Sequence, residues 1–506
     1  MTTHATREMD RSHLTFLHWK VWFLSAMGIF LDGFDLFIIA VALPLIQKEF
    51  SPGPALLGLI GAAAPLGCIL GATIFGRFTD RLGRRTILLI DLMFFVVFAG
   101  LSAIAWSAAS LIVFRFLLGI GIGADYPVSS TYITENMPSR LRGRMLVGGF
   151  GFQALGMLSG ALLGIIVLKL YPDVNSWRYI LGFAVIPAII ILLWRLTLPE
   201  SPRWLINQGK HEEAAEVASK MTGKKINIDA IKVSVHSTFR DLFSRRYIGR
   251  TILTACSWFL MDVAFYGVGL FTPLILASMA FSHGGDFIQQ ALSAIYGSTF
   301  TEVFLVLGVL ICVFLVDHIG RIKLQTWGFF GMAIGLYILA ASSLIHNPHQ
   351  QLLAIFTGFI FFFITLNIGP NPTTFLLPAE MFPTHLRATG HGFASAAGKA
   401  GAAVGIFILP ILKTTYGLPV TMLIMGSVCL VGFLLTAILG FETKGKSLDD
   451  IQRIEYEMNA AEVSLIYVQE DIKRLADDLK RVEGALHTAL QEMRRFNKVK
   501  KSSGHE

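Results

Sequence analysis

Glu135-Asn-Met-Pro-Ser-Arg-Leu-Arg142 and Glu380-Met-Phe-Pro-Thr-His-Leu-Arg387 are two copies of one short sequence. A second pair of copies is Asp80-Arg-Leu-Gly-Arg-Arg85 and Asp317-His-Ile-Gly-Arg321. Each copy follows a long apolar run, and the order is the same in both halves of the chain. Parallel repeats with a cleft between them are the architecture of a rocker-type transporter. We therefore predict two related domains that enclose a central site.

The apolar runs around these copies are long enough to cross a membrane. Apolar residues make up 54% of the 506 residues and charged residues 15%, against about 25% charged residues in soluble domains. A helix of about 20 apolar residues crosses the hydrocarbon core of a bilayer. The sequence predicts an all-α membrane protein with twelve spans, numbered along the chain: 20–46, 55–76, 86–106, 109–133, 145–169, 178–198, 250–279, 292–316, 324–345, 351–378, 389–413 and 418–440.

This composition excludes a soluble enzyme, a disordered chain and a nucleic-acid binder. The net charge is +8, but apolar runs interrupt the basic residues, which form no continuous face. The sequence contains no metal-ligand spacing, nucleophile–base motif or phosphate-binding loop. We expect no enzymatic activity, no cofactor and no metal. The four cysteines lie inside apolar runs and are predicted to be free thiols: Cys68, Cys256, Cys312 and Cys429.

The basic residues of the loops predict the orientation of the chain. Arg and Lys are abundant after spans 2 and 4 and in the central stretch, and they are absent from 107–108, 280–291 and 346–350. Because cytoplasmic loops carry the excess of Lys and Arg, both termini are predicted to be cytoplasmic, in a plasma or inner membrane. The predicted divisions are an N-terminal six-helix bundle, a cytoplasmic central loop, a C-terminal six-helix bundle and a cytoplasmic helical tail, at 1–198, 199–249, 250–441 and 442–506.

Polar side chains lie at one depth in six of the spans. Each is nine to twelve residues from the nearest charge at the predicted cytoplasmic end, which is roughly 14–18 Å along a helix and about half of the hydrocarbon thickness. Polar groups at that depth are costly. A single one is as readily a helix–helix hydrogen bond, but the set indicates a central binding site: Asp32, Asp125, Gln153, Asp262, Asn371 and Lys399.

Span 7 adds an aromatic stripe to this predicted site. Trp258, Asp262 and Tyr266 follow each other at intervals of four residues, so they lie on one face of a helix. An aromatic side chain on such a face is usually packing. In a membrane, however, the N–H of Trp and the O–H of Tyr need polar partners, which favours a role in the site.

Several motifs resemble those of the major facilitator superfamily. Gly76-x-x-x-Asp80-Arg-x-Gly-Arg-Arg85 is its inter-span loop motif, and Arg115-x-x-x-Gly119 matches a second motif. Pro199-Glu-Ser-Pro-Arg-Trp-Leu205 and Phe441-Glu-Thr-Lys-Gly445 are similar to the motifs that close each half in the sugar-porter branch. The resemblance implies twelve transmembrane helices in two pseudo-symmetric six-helix bundles, which is the major facilitator fold.

Other segments resemble the phosphate:proton symporters of that superfamily, known from fungi and plants. They are Gly123-Ala-Asp-Tyr-Pro-Val-Ser129, Trp258-Phe-Leu-Met-Asp-Val-Ala-Phe-Tyr266, Gly369-Pro-Asn-Pro-Thr-Thr-Phe375 and the stretch from His391 to Lys399. The resemblance implies a phosphate site and, in Lys399, an ion-pair partner for the Asp of span 7. The implied phosphate-binding residues are Tyr126, Gln153, Trp258, Asp262, Tyr266 and Asn371.

The same resemblance assigns the path of the proton to Asp32 and Asp125. Asp32-Gly-Phe-Asp35 also resembles a segment of aromatic-acid and organic-ion transporters, and Asp35 lies close to the same helix face as Asp32. We therefore treat all three carboxylates as candidates for proton coupling. An anion placed near Asp32, Asp125 and Asp262, opposed only by Lys399, binds well only when some carboxylates are protonated. Proton and anion then favour each other's binding, as a symporter requires.

Charged residues at the predicted cytoplasmic end are expected to form networks that hold one conformation shut. The alternative is that the arginines only set the topology. Glu302 in span 8 is a lone acid without an assigned role. The predicted gating residues are Asp80, Arg81, Arg84, Arg115, Glu135 and Arg142, with the counterparts Asp317, Arg321, Glu380 and Arg387.

The tail repeats apolar residues at alternating intervals of three and four over residues 451–496. That spacing is typical of a coiled coil. We predict a cytoplasmic C-terminal coiled-coil helix that mediates self-association or binds a partner protein. The alternative is a helical hairpin that folds on itself.

These observations predict a proton-coupled secondary active transporter that works by alternating access. The favoured function is symport that imports inorganic phosphate with protons across a lipid bilayer. The alternative substrates are an organic anion, a sugar or another small metabolite. A nutrient sensor and a membrane-anchored coiled-coil scaffold are the alternatives from other functional classes.

Overall fold

The computed structural model describes residues 4–226, 228, 238–280, 287–383 and 385–446, together with seven residues between 479 and 491. Within these residues, twelve helical segments are long and apolar enough to cross a membrane, which confirms the predicted number. The spans are Phe16–Phe50, Pro54–Leu82, Arg84–Ala103, Ala108–Asn136, Arg142–Leu170, Ser176–Gly182 with Val185–Arg195, Ile248–Ala280, Phe287–Ile319, Arg321–Ala341, Pro348–Ile368 with Pro370–Met381, Arg387–Lys413 and Thr415–Leu439.

Large apolar side chains cover the outside of these helices. Phe314 is 68% exposed, Trp327 65% and Ile438 76%. A soluble protein rarely leaves so many large apolar groups in water, whereas lipid tails solvate them. Helices suit this surrounding because their backbone groups are paired within each span. The protein is an integral, multi-pass membrane protein.

Two pairs of spans connect the halves of the chain. Span 2 packs against span 11, and span 5 packs against span 8. A Cβ at Gly76 of span 2 would lie 2.7 Å from the carbonyl oxygen of Ala388 in span 11, so the helices touch there through their backbones. Each half therefore contributes its second and fifth spans to the interface, and the second span of one half packs against the fifth span of the other.

Span 10 is broken between Ile368 and Pro370. Gly369 has non-helical angles, φ −122° and ψ −98°. Pro370 has no N–H to continue the upstream helix, but its fixed φ suits the first position of a new one. The second segment, Pro370–Met381, thus starts inside the membrane-spanning region.

The central stretch, predicted as a loop, contains regular structure. Ser201 accepts a hydrogen bond from the backbone N–H of Trp204, and Pro202 occupies the first helical position, so a helix begins there. Near the start of the chain, the helix His4–Arg11 places Met9 against the core formed with Ala218 and Ile226. The elements of the central stretch are Pro202–Asn207, His211–Thr222 and the 3-10 helix Phe239–Phe243.

The predicted coiled coil over 451–496 lies outside the described residues, apart from the seven named above. The chain divides into a unit of residues 1–448 and a unit of residues 449–506. All of the sites described below belong to the first unit.

Candidate functional site

One end of the helical bundle carries the four repeated loops that begin at Asp80, Glu135, Asp317 and Glu380. We call this end the motif end; it is the predicted cytoplasmic end. In the first half, Nε and Nη2 of Arg84 donate to the carboxylate of Glu135 at 3.0 and 2.9 Å. Nη2 of Arg84 also lies 3.2 Å from Asp80. Arg84 and Glu135 are fully buried, so this is an enclosed ion pair.

The second half repeats the cluster almost atom for atom. Nε and Nη2 of Arg321 donate to Glu380 at 3.1 and 3.0 Å, and Nη1 lies 2.9 Å from Asp317. The duplication seen in the sequence therefore extends to the geometry of the side chains.

A carboxylate that the sequence analysis did not single out completes each cluster. Glu200 accepts hydrogen bonds from the backbone N–H groups of Arg84 and Arg85 at 2.9 and 3.1 Å. Negative charge at a helix N-terminus is stabilising. Burial raises the pKa of Glu200, against the lowering effect of these hydrogen bonds and of Arg84. The sequence signal was present, because Glu200 belongs to the motif that closes the first half.

Glu442 repeats this arrangement at Arg321 and Ile322, at 3.0 and 3.2 Å. The glycines before the two helices, Gly83 and Gly320, have φ of 98° and 108°. A Cβ at either position would lie 2.4 Å from the glutamate oxygen. Only glycine fits this turn, which explains its place in both loop motifs.

Polar contacts join the halves at the motif end. Nη1 of Arg387 lies 3.1 Å from Glu135. Oδ2 of Asp80 accepts from both the N–H and the hydroxyl of Thr389, at 2.9 and 2.8 Å. Nε of Arg144 lies 3.5 Å from Asp317. The motif end is thus closed in this conformation, and four of the ten predicted gating residues take part in the closure: Asp80, Glu135, Asp317 and Arg387.

Two other predicted gating residues lie at the motif end but make no ion pair between the halves within the part of the chain that the structure describes. Arg142 pairs with Asp10 at 2.6 Å; Arg203, missed by the sequence analysis, pairs with the same carboxylate at 2.9 Å. Arg81 is exposed. Burial raises the pKa of Asp10, but Arg203 and Arg142 outweigh that effect and hold its pKa below the usual value.

Arg115 corrects the sequence analysis, which grouped it with the motif end. It lies near the other end of span 4, eight residues into Ala108–Asn136, and its Nη1 pairs with Asp35 at 2.6 Å. Both side chains are buried. The sequence analysis grouped Arg115 with the charged residues of the cytoplasmic end, but helix packing brings it to a carboxylate 80 residues away in sequence.

The central site contains Lys399 and the aromatic stripe of span 7. Nζ of Lys399 donates to the hydroxyl of Tyr266 at 2.9 Å and lies 3.8 Å from Oδ2 of Asp262. Lys399 and Asp262 were expected to pair. Both belong to the second half, and they meet because spans 7 and 11 pack together, so this pair does not cross the cleft between the halves.

Contact across the cleft is made through an aromatic ring instead. Nζ of Lys399 lies 4.7 Å from the ring centroid of Tyr126 in span 4, a cation–π distance. The hydroxyl of Tyr126 accepts a hydrogen bond from Nε2 of Gln153 at 2.6 Å. Its ring meets Trp258 and Phe375 edge to face, at 6.3 Å in each case. Four of the six implied phosphate-binding residues therefore converge around Lys399, with Asp262 beside them.

Asn371 is the remaining predicted substrate residue. Its Nδ2 donates to Oδ1 of Asn367 at 3.0 Å, and both side chains are buried. These residues flank the break at Gly369. Four residues beyond Asn371, Phe375 packs on Tyr126 and Trp258, so span 10 reaches the same site. The sequence analysis missed Asn367, which stands only four residues before Asn371.

The three candidate proton-coupling carboxylates are buried, at 2–3% exposure. Asp35 is held by Arg115, as described above. Asp125 accepts from the hydroxyl of Ser129 at 3.1 Å and pairs with Arg195 at 2.9 Å. Oδ2 of Asp32 has no hydrogen-bond partner among the described residues.

The remaining sequence predictions concern metals, thiols and Glu302. The described residues contain no group of three or more His, Cys, Asp or Glu side chains placed to hold a metal. Cys68, Cys312 and Cys429 are buried thiols, and Cys256 is an exposed one. Glu302 is 4% exposed, and its Oε2 has no hydrogen-bond partner within the described part of the chain.

Comparison with protein families gives a match over most of the chain. The family described as "Sugar (and other) transporter" matches residues 21–454. A similar protein is the "Probable inorganic phosphate transporter 1-9" of Arabidopsis thaliana, 32% identical, with 87% of this chain and 94% of that protein covered. Another is the "Low affinity inorganic phosphate transporter 1" of Petunia hybrida, 30% identical, with 88% and 94% covered.

Solved structures match the fold. The major facilitator superfamily proton:xylose symporter XylE, bound to 6-bromo-6-deoxy-D-glucose, superimposes with a TM-score of 0.73. It is 21% identical, and 87% of this chain and all of that chain are covered. A partially occluded inward-open conformation of XylE from E. coli gives a TM-score of 0.69 at 22% identity, with 85% and 100% covered.

Proposed function

We propose that this chain, which belongs to the sugar (and other) transporter family, is a proton-coupled symporter that imports inorganic phosphate by alternating access. The observation that carries the proposal is the position of Lys399, an ammonium enclosed with Tyr126 and Tyr266 at the contact between the two halves. The similarity to inorganic phosphate transporters of plants supports the choice of substrate.

The donors around Lys399 suit an oxyanion. The ammonium, the phenol hydroxyls and the indole N–H of Trp258 all donate hydrogen bonds, and the amides of Gln153 and Asn371 donate as well. Phosphate presents oxygen acceptors in every direction. To bind phosphate, Lys399 must release some of its present contacts. Phosphate binding therefore changes the contacts between span 11 and its neighbouring spans.

Carboxylates near the site provide the coupling. Asp262 lies beside Lys399, and Asp32 interacts electrostatically with it. A phosphate anion next to ionised carboxylates is repelled, whereas protonation removes the like charge. Each ligand therefore raises the affinity for the other, and the linkage is reciprocal. This is the thermodynamic requirement of symport.

Alternating access uses the closed motif end. The contacts of Arg387 with Glu135 and of Asp80 with Thr389 join the halves there. Opening requires these contacts to break while the clusters within each half stay intact. The rigid clusters around Arg84 and Arg321 then move as parts of their own bundles.

A xylose symporter shares the fold, and the likeness at 21% identity extends to the fold alone. The alternative substrates are an organic anion, a sugar or another small metabolite. The charge of Lys399 favours an anion over a neutral substrate, and the similarity to inorganic phosphate transporters favours phosphate among anions.

Competition for uptake tests the substrate. Uptake of radiolabelled phosphate by the protein in proteoliposomes should be inhibited by arsenate, which has the same shape and charge. Sulfate, small organic acids and xylose serve as controls and should compete poorly. Inhibition by organic acids or xylose without inhibition by arsenate would transfer the assignment to the alternatives.

A further inference from the structure

A buried charge cluster lies beside Asp32, enclosed by spans 1, 3, 4 and 6. Nη2 of Arg195 lies 2.9 Å from Asp125, and Nη1 lies 3.2 Å from Asp91. All three residues are at most 3% exposed. Asp32, Asp91 and Asp125 line one small cavity. Neither the family resemblance nor the sequence analysis assigns a role to Asp91 or Arg195.

The guanidinium of Arg195 is fixed in place by its other donors. Nε donates to the carbonyl of Leu24 at 3.0 Å, and Nη1 donates to that of Leu88 at 2.9 Å. A Cβ at Gly28 would lie 2.0 Å from Nη2 of Arg195 and 2.5 Å from Oδ1 of Asp125. Backbone carbonyls of spans 1 and 3 thus hold the guanidinium in place, and only glycine at position 28 leaves room for it.

The charges of this cluster do not balance. Three carboxylates face one guanidinium, so full ionisation would leave net negative charge in a region that excludes water. Burying an uncompensated ion costs several kcal/mol. Oδ2 of Asp32, in addition, lacks a hydrogen-bond partner among the described residues. A proton on one of these oxygens removes a charge and creates the donor that the cluster lacks.

We propose that Asp32, Asp91, Asp125 and Arg195 form a single proton site, in which Asp91 and Arg195 set how tightly the transported proton is held. The proposal rests on the proposed function. The proton arrives from bulk water, forms an O–H bond with a carboxylate oxygen of the cluster, and returns to water on the other side. Asp91 and Arg195 act as positioning residues for the exchanging carboxylates.

Other ionisable groups also face this site. Lys399 of span 11 interacts electrostatically with Asp32. Cys68 of span 2 and Tyr126 of span 4 interact with Asp32 as well. Lys399 connects the proton site to the substrate site. An anionic substrate bound to Lys399 neutralises its charge and so weakens the interaction of Lys399 with ionised Asp32. Proton binding at Asp32 then becomes more favourable.

Because Asp91 and Arg195 carry opposite charges, their removal is predicted to shift the titration of the remaining acids in opposite directions. Asp91→Asn removes a negative neighbour, so the remaining acids should bind their proton less tightly and titrate at lower pH. Arg195→Gln removes the positive neighbour, so they should titrate at higher pH. A single charge at this distance shifts a titration by about 1–3 pH units. A purely structural role for both residues predicts no such opposite shifts.

The test is an infrared titration of protonated carboxylic acids in the phosphate-free protein in liposomes. The pH midpoint of the carbonyl band that Asp32→Asn removes should fall in Asp91→Asn and rise in Arg195→Gln. The double variant should return towards the wild-type midpoint. Arg195→Lys keeps the charge and should stay near it, and Asp173→Asn, in an exposed loop, is the matched control and should leave it unchanged.

A midpoint that does not move in Asp91→Asn, or that moves in the same direction in Arg195→Gln, would overturn the proposal. If Arg195→Gln does not fold, the direction in Asp91→Asn decides alone. The titration of the wild-type protein is then repeated with phosphate present. If the two variants shift the midpoint in opposite directions but phosphate does not change the wild-type midpoint, the proton site is supported and the phosphate assignment is rejected. The two failures are therefore distinguishable.

Discussion

At the scale of single residues, Lys399 has three kinds of neighbour. Its ammonium donates to the hydroxyl of Tyr266, lies near the carboxylate of Asp262 and sits over the ring of Tyr126. Two of these neighbours belong to its own half, and Tyr126 belongs to the other. Lys399 can therefore transmit occupation of the site to both halves.

The pairing of Lys399 with Asp262 can be measured by a double-mutant cycle. Lys399→Ala and Asp262→Ala should each abolish transport, because each leaves a buried charge without its partner. Their effects on thermal stability should not add, with an interaction energy of about 0.5–3 kcal/mol, typical of residues in one ion pair.

A control cycle combines Lys399→Ala with Asp173→Ala, which changes an exposed acid in the loop after span 5; these effects should add. Additive losses for Lys399 and Asp262 as well would show that the two residues are not coupled. The proposed link between substrate binding and span 11 would then be lost.

The spans that carry the polar residues could be predicted from the sequence, but the partners of these residues could not. The apolar runs placed Asp32, Gln153 and Lys399 correctly inside spans. Which span neighbours which depends on packing between residues far apart in sequence. Arg195, inside predicted span 6, was overlooked because its acidic partners lie on other spans. Arg115 was assigned to the wrong end although the predicted span 109–133 already placed it near the opposite one.

At the scale of elements, the amino-terminal helix His4–Arg11 is tied to the motif end through Asp10. The carboxylate bridges Arg142 and Arg203, and their charges keep its pKa below the usual value. A lowered pKa in the folded state stabilises the docked helix above the unfolded pKa of about 3.9. That contribution is lost as the pH falls through the folded pKa.

Hydrogen exchange can follow the docking of this helix. Residues 4–11 should stay protected at neutral pH and lose protection only below about pH 4, after correction for the intrinsic rate. Asp10→Asn should remove the protection at neutral pH, since breaking a buried pair costs about 3–5 kcal/mol. Glu8→Gln, which touches only an exposed pair with Lys224, should have little effect. Equal loss in both variants would contradict the role of Asp10.

The closure of the motif end depends on the contact of Arg387 with Glu135. Arg387→Ala should favour opening by about 2–5 kcal/mol, because Glu135 keeps Arg84 but loses its link to the other half. Distances between spin labels at the exposed positions 81 and 323 should lengthen. Arg85→Ala, which changes an exposed residue bonded within the first half, is the control. An unchanged distance distribution in Arg387→Ala would remove this contact from the gate.

At the scale of the whole molecule, duplication and hydropathy predicted the architecture. The number of spans follows from the apolar runs, and the equivalence of the halves follows from the repeated loops. The break in span 10 and the helices of the central stretch were not predicted. Gly369 and Pro370 lie inside one predicted span, 351–378, and the central stretch is too polar for the hydropathy signal that located the spans.

The central claim is that a proton gradient drives phosphate accumulation. The most direct test is phosphate uptake into proteoliposomes with an imposed inward proton gradient. We predict accumulation above the external concentration that collapses when a protonophore is added, and equilibrium exchange without accumulation in Asp32→Asn. Uptake of phosphate that never exceeds the external concentration, or that ignores the protonophore, would contradict the account.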